Sequence, residues 1–226
     1  TFDNDFLANI YETFKEYGDS IGFIGGKCAP RWVNCSKPNW FVELMPGWWS
    51  EEFFWGPLAI LDYGETPFAI DYRRVNVDER KLFYGANMAV RKELFSKYGD
   101  FDVRKPITQD TELQLRFLSK GERGLYAPRM KVYHKVSPER LTPRYYYHWY
   151  FLRGSLLEIQ EKSQKQFCYP FGIEFAFIFG TLKLFLSSFL VRTVAEKIYR
   201  RSHGLFNLGQ MIQIARKPER RLINEA

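Results

Sequence analysis

Most of the side chains in this sequence that could do chemistry fall between Gly85 and His134. Asp110 opens the stretch D-T-E-L-Q-L-R-F-L-S-K-G, with Glu112 two positions on. A carboxylate at the start of a helix can cap backbone N–H groups, or it can take a proton from a bound hydroxyl. On pattern alone the cap explains Asp110. His134 closes the strand-like run V-Y-H, where an imidazole either serves the fold or ligates a metal. Gly85-Ala86-Asn87 reads as a turn in which a missing side chain lets another group approach the backbone. Trp48 and Trp49 lie in a Trp- and Pro-rich stretch that could line a groove or simply anchor a loop.

The elements that must hold these residues can be sketched from periodicity. Phe6, Leu7, Ile10 and Phe14 recur at helical spacing, which predicts a helix from about residue 5 to 17 with Gly18 as its stop. I-G-F-I at 21–24 predicts a short buried strand ended by Gly25-Gly26. Residues 30 to 57 then lose all periodicity and carry five of the six tryptophans, which predicts a long loop of the kind that is usually functional. K-L-F-Y-G-A-N-M-A-V reads as a strand entering a glycine turn, and R-K-E-L-F-S-K-Y-G as a short helix closed by Gly99. In the helix that follows, Leu113, Phe117 and Leu118 share a face, with Asp110 at the cap and Gly121 at the end. G-L-Y-A-P and M-K-V-Y-H predict two short strands around a turn.

The texture changes near residue 140. Thr142-Pro143 is a helix start with proline in the first turn. Residues 171–191 form the most hydrophobic run, interrupted by Glu174 and Lys183. A lysine at mid-bilayer costs roughly 2.5–3.5 kcal/mol on insertion scales, which so apolar a run could offset. Against a span, Glu174, Thr181, Ser188 and Arg192 recur as a narrow polar stripe, which suits an interfacial helix or one packed on protein. Attachment at a membrane surface, a span and a soluble packed helix all stay open.

Composition sets the outer bounds. Hydrophobic residues at 46% and aromatics at 18% exclude disorder. The net charge of +7 would suit nucleic acid, an anionic membrane or a phosphorylated ligand. Basic residues thicken around the C-terminal hydrophobic run, from Lys197 to Arg221, and no nucleic-acid-binding signature accompanies them. The expected partner is therefore a membrane surface and not nucleic acid. Cys28, Cys35 and Cys168 are odd in number and lack C-x-x-C spacing, so a reducing compartment is expected and neither a disulfide framework nor a zinc site. The opening T-F-D-N-D-F-L carries no signal-peptide pattern and reads as the continuation of a longer chain.

Three blocks in order, Y-G-A-N-M-A-V-R-K-E-L-F-S-K-Y-G-D-F-D, T-Q-D-T-E-L-Q-L-R-F-L-S-K-G and L-Y-A-P-R-M-K-V-Y-H, closely resemble the family 2 glycosyltransferases of the GT-A fold. G-G-K-C-A-P-R-W and L-D-Y-G-E extend the resemblance over roughly residues 5 to 140. It implies sugar transfer from a nucleoside diphosphate to an acceptor hydroxyl, usually with inversion. On that resemblance Asp110 is the general base, and Gly85, Ala86, Asn87, Gln109 and Glu112 line the acceptor and donor-sugar pocket together with Trp48 and Trp49. Gln109 stands where the family commonly has Glu. His134 resembles a histidine that helps hold a divalent metal, Mg²⁺ or Mn²⁺, on the diphosphate. The main Asp-x-Asp ligands of that metal are expected upstream of residue 1. Asp3-Asn4-Asp5 spells the motif but has only Thr1 and Phe2 before it, and reads more readily as a helix start.

The expectation is an α/β chain: a partial GT-A, Rossmann-like mixed sheet with flanking helices over residues 1–140, and a helical, membrane-associated extension over 141–226. The partners implied are a nucleotide-sugar donor and a saccharide or lipid-linked acceptor, at the cytoplasmic face of a membrane. Competing readings are a non-catalytic carbohydrate-binding module and part of a processive polysaccharide synthase. The latter would carry a Q-x-x-R-W-type motif where this chain has Y-Y-Y-H-W-Y.

Overall fold

The computed structural model describes residues 1–41, 55–71, 82–104, 109–156 and 172–216. They fall into two compact units, one of Thr1–Cys35 and Phe54–Ser137, the other of Ser36–Phe53 and Pro138–Ala226. The architecture is α/β, with a four-stranded mixed sheet consistent with a partial Rossmann-like fold.

In the first unit the strands β1 (Phe23–Trp32), β2 (Phe68–Ile70), β3 (Met88–Val90) and β4 (Gly124–Val136) take the order β2-β4-β1-β3. The two long central strands run parallel, and each short outer strand is antiparallel to its neighbour. Buried on both faces, β1 alternates between two cores. Phe23 joins Phe83, Leu113, Phe117 and Tyr126 on the side of the helices α2 (Lys92–Tyr98) and α3 (Gln109–Ser119). Ile24 joins Leu125, Ala127 and Met130 on the other, under Phe6, Ile10, Phe14 and Tyr17 of α1 (Phe6–Tyr17). Leu7, expected on that face, points outward. The aromatic excess is spent here, with the Phe23 ring 6.0 Å from both Phe83 and Phe117.

The strands depart from the sequence reading in three places. β1 does not stop at Gly25-Gly26 but runs through them to Trp32, so the long loop begins later than periodicity suggested. β4 is one strand of 13 residues, not two around a turn. Both differences have one cause. Between the pairs Gly25↔Tyr126 and Lys27↔Lys131 the register shifts, so that Ala127–Met130 bulge opposite Gly26 alone. Pro128 sits inside that bulge, where no ladder N–H is required of it. Gly26 has no side chain because a Cβ there would lie 2.1 Å from the Met130 carbonyl oxygen. Thirdly, the strand at the glycine turn follows it as β3 and does not precede it.

In the second unit α4 (Pro143–Leu156) starts at the Thr142-Pro143 signal, and α5 (Gly172–Ser187) and α6 (Val194–Arg216) follow. Backbones approach closely through glycines: a Cβ on Gly154 would lie 2.1 Å from the Phe206 carbonyl oxygen, and one on Gly209 2.4 Å from that of Phe151. Tyr146 is fully buried, with Trp40 edge-on at 5.4 Å. Among the described residues no helix is long and apolar enough to cross a membrane.

Candidate active site

Asp110 lies in the first turn of α3, half-buried, and both carboxylate oxygens are engaged. Oδ1 accepts from the Thr111 N–H at 2.8 Å, and Oδ2 accepts from the Gly85 N–H at 2.8 Å. The turn Gly85–Asn87, a single 3-10 turn between Tyr84 and β3, is thereby tied to the carboxylate. A Cβ on Gly85 would touch Asp110 Cβ at 3.3 Å, so the backbone approach uses the missing side chain. Each carboxylate oxygen keeps acceptor capacity beyond its one N–H, so the group can still receive a third donor.

Two buried amides hold this pair in place. Gln114, one turn into α3 and fully buried, accepts from the Phe83 N–H at 2.8 Å and donates to the Phe83 carbonyl at 2.8 Å, as a neighbouring strand would. The same Nε2 donates to the Asp110 carbonyl at 2.9 Å. Because the Gln114 side chain satisfies the Phe83 backbone, residues 82–84 are held beside α3 without forming a strand of their own. Asn87 ends the turn from below: its Nδ2 donates to the carbonyls of Lys27 on β1, at 2.8 Å, and Met130 on β4, at 2.9 Å.

The remaining expected residues are spread out. Ala86 and Gln109 are exposed. Asn87 is buried, turned toward the strands. Glu112 faces Arg116, whose Nε and Nη2 donate to its two oxygens at 3.0 and 2.9 Å, while Nη1 and Nη2 reach the carbonyls of Tyr98, Gly99 and Asp100 at the end of α2. His134 is half-buried on β4, in register with Pro30 of β1. Among the described residues no group of three or more His, Cys, Asp or Glu side chains that could hold a metal ion is present. Asp5 sits at the N-cap of α1 without a side-chain capping bond, and the Asp3 carbonyl receives the Phe6 N–H at 3.1 Å. Trp48 and Trp49 lie outside the described residues.

A second polar group was not anticipated. Lys27, buried on β1, places Nζ 3.1 Å from Asp62 Oδ1 and also on Glu65. Burial pulls the Lys27 pKa down, but hydrogen bonds to Glu65 and Asp62 outweigh it and leave it raised. At Asp62 burial pushes upward, yet the Gly64 N–H and Lys27 hold the carboxyl below its usual range. The Tyr126 hydroxyl donates to the Gly64 carbonyl at 3.1 Å and receives the Tyr63 N–H at 3.1 Å, and burial pushes its pKa up to about 12. Tyr63 in turn donates to the Leu82 carbonyl at 2.9 Å, fastening L-D-Y-G-E to the segment that leads into the glycine turn.

Over 144 residues this chain is 24% identical to a glucosyl-dolichyl phosphate glucuronosyltransferase of Haloferax volcanii. It is a distant relative of a glycosyltransferase. The similarity covers 60% of this chain and 40% of the relative's length. No family model matches the chain, and no solved structure matches it.

Proposed function

We propose that this chain is the acceptor-side part of an inverting, family 2 glycosyltransferase in which Asp110 is the general base. The observation that carries the reading is the carboxylate of Asp110, fastened through the Gly85 N–H to a glycine turn and through the Asp110 carbonyl to buried Gln114. A hydroxyl is a poor nucleophile until its proton is accepted as it attacks, and a carboxylate fixed in direction can accept it. In the proposed step the acceptor oxygen forms a bond to the anomeric carbon from the face opposite the leaving group. Its proton passes to Asp110, and the bond from that carbon to the diphosphate oxygen breaks with its electron pair, releasing the nucleoside diphosphate.

The exposed backbone of Gly85 and Ala86 and the side chain of Gln109 bind sugar hydroxyls on this reading, and Asn87 positions the turn from beneath. The relative takes glucosyl-dolichyl phosphate, and by extension a lipid-linked saccharide is the acceptor class, met at the cytoplasmic face of a membrane. A divalent cation would neutralise the charge that builds on the diphosphate, and His134 is the one ligand expected from this chain.

The test is transfer of radiolabelled sugar from a panel of nucleotide sugars to a polyprenyl-phosphate glucoside by the natural full-length protein. Asp110→Asn keeps size but can accept only one of the two N–H groups that the carboxylate receives, and is expected to lower turnover about 10²–10⁴-fold while leaving nucleotide affinity unchanged. Turnover within a few-fold of wild type would remove Asp110 from the chemistry.

A further inference from the structure

Helix α5 is built the opposite way from a helix that faces water. The side chains it turns toward α6 include small and polar ones beside the ring of Phe185. Ser188 is fully buried and its Oγ receives Arg201 Nε at 3.2 Å, the Thr181 hydroxyl is buried, and a Cβ on Gly180 would lie 3.5 Å from the Asn207 amide nitrogen. From the other side Gly204 meets the Phe185 ring, which a Cβ there would approach to 2.8 Å. The side chains it turns outward are large and apolar: Ile178, Phe179, Leu182, Leu186, Phe189 and Leu190 are 44% to 85% exposed. At about 100° per residue the four on the helix, Ile178, Phe179, Leu182 and Leu186, fall within about 100° of one another, and Phe189 and Leu190 follow in the turn just past its end. Thr181 and Ser188 of the polar stripe read from the sequence therefore pack inward, while its Arg192 is exposed, and what is left outside is a run of large apolar side chains of the kind that marks an interaction surface.

Small residues inside and bulky apolar residues outside is how helices associate when the surroundings are as apolar as the side chains. α4 and α6 meet in the same manner, backbone against backbone at Gly154 and Gly209. Charge narrows the occupant further. Lys183 and Arg192 are exposed beside the patch, and residues 172–216 carry six basic side chains against two acidic ones. With 16 residues α5 is about 24 Å long, short of the ~30 Å hydrocarbon layer.

We infer that the outward face of α5 is a lipid-docking surface, on which the helix lies along an anionic leaflet with its apolar stripe among the acyl chains and Lys183 and Arg192 at the phosphates. The inference rests on the helical unit alone and is independent of Asp110.

The experiment is flotation of the full chain with vesicles of phosphatidylcholine, and of phosphatidylcholine mixed with phosphatidylglycerol. The wild type is expected to float with the mixed vesicles and more weakly with the neutral ones. Leu182→Gln with Leu186→Gln, both on exposed positions and retaining wild-type dichroism, should weaken flotation on both by about tenfold or more. Lys183→Gln and Arg192→Gln should each weaken it about fivefold on the mixed vesicles only. Three results would overturn the inference: no flotation with either composition, flotation unmoved by the leucine substitutions, or self-association that those substitutions abolish while flotation persists. The last would assign the patch to a second copy of the chain.

Discussion

Replacing Gln114 by leucine removes one side chain that makes three hydrogen bonds in a fully buried position, and the cost can be worked from the groups left behind. The Phe83 N–H and C=O lose the partner they have among the described residues, at about 1.5–2.5 kcal/mol for each buried group left unmade. The Asp110 carbonyl, in the first turn of a helix, retains its backbone bonding and adds little. Leucine fills a similar volume beside Leu113 and Phe117 and recovers about 1 kcal/mol of apolar burial. The net expectation is a loss of about 2–4 kcal/mol, a large share of the ~5–15 kcal/mol that holds an ordinary domain. The readout should be local, because the chain has two units and a single global transition is not assured. Hydrogen exchange at the Phe83 amide is expected to speed up by roughly 30- to 1000-fold. Gln114→Glu gives a second arm. It keeps an acceptor for the Phe83 N–H but sets a second oxygen against the Phe83 and Asp110 carbonyls, so it should be at least as damaging at neutral pH and partly recover in acid. If the leucine variant lost less than about 0.5 kcal/mol and the Phe83 amide stayed protected, the amide would not be what brackets the turn to the helix.

Gly26→Ala should be among the worst small substitutions in the protein. Its Cβ meets the Met130 carbonyl at 2.1 Å and the Ala127 carbonyl at 2.9 Å, backbone atoms that move only if β1 and β4 part, so a loss of about 1–3 kcal/mol or more is expected in urea unfolding. Gly85→Ala meets only the Asp110 side chain at 3.3 Å, and should cost under about 1 kcal/mol while displacing that carboxylate by a few tenths of an ångström. Equal losses for the two would refute the contrast. In the helical unit burial lowers the His203 pKa to about 4, with the ring 4.2 Å from the tilted ring of Tyr199 and stacked with Tyr150 at 6.2 Å. The unfolded imidazole takes up its proton near 6.5 and the folded one only near 4. Stability is therefore full above that upper value and falls as pH drops through the window, by up to about 3 kcal/mol. His203→Phe keeps the stacking and should flatten the acid side of a thermal-stability profile, and an unchanged slope would refute the assignment.

How much of this was legible in the sequence depended on whether one residue type could serve one purpose. α1 and α2 begin and end close to where caps and glycines put them, and α4 begins at its proline, because those signals are local. The long central strands were misread because a bulge has no local signature. Gly25-Gly26 and Pro128 look like terminators until it is known that they face one another across a register shift. At the site, Asp110 and Gly85 stood out by type, and the structure brings them into contact. Gln114 did not stand out, although its position carried a signal. On the helix formed by residues 109–119 it falls on the same face as Leu113, Phe117 and Leu118, and a polar amide on an apolar face must find backbone to bond. The lysine at position 27 was harder, since its partners Asp62 and Glu65 are more than thirty residues away and nothing in their spacing announces them. The same limit explains the inversion of α5. A polar stripe tells which residues share a face but not which side of the helix water occupies, and Ser188 is turned inward where Arg201 of α6 reaches its hydroxyl.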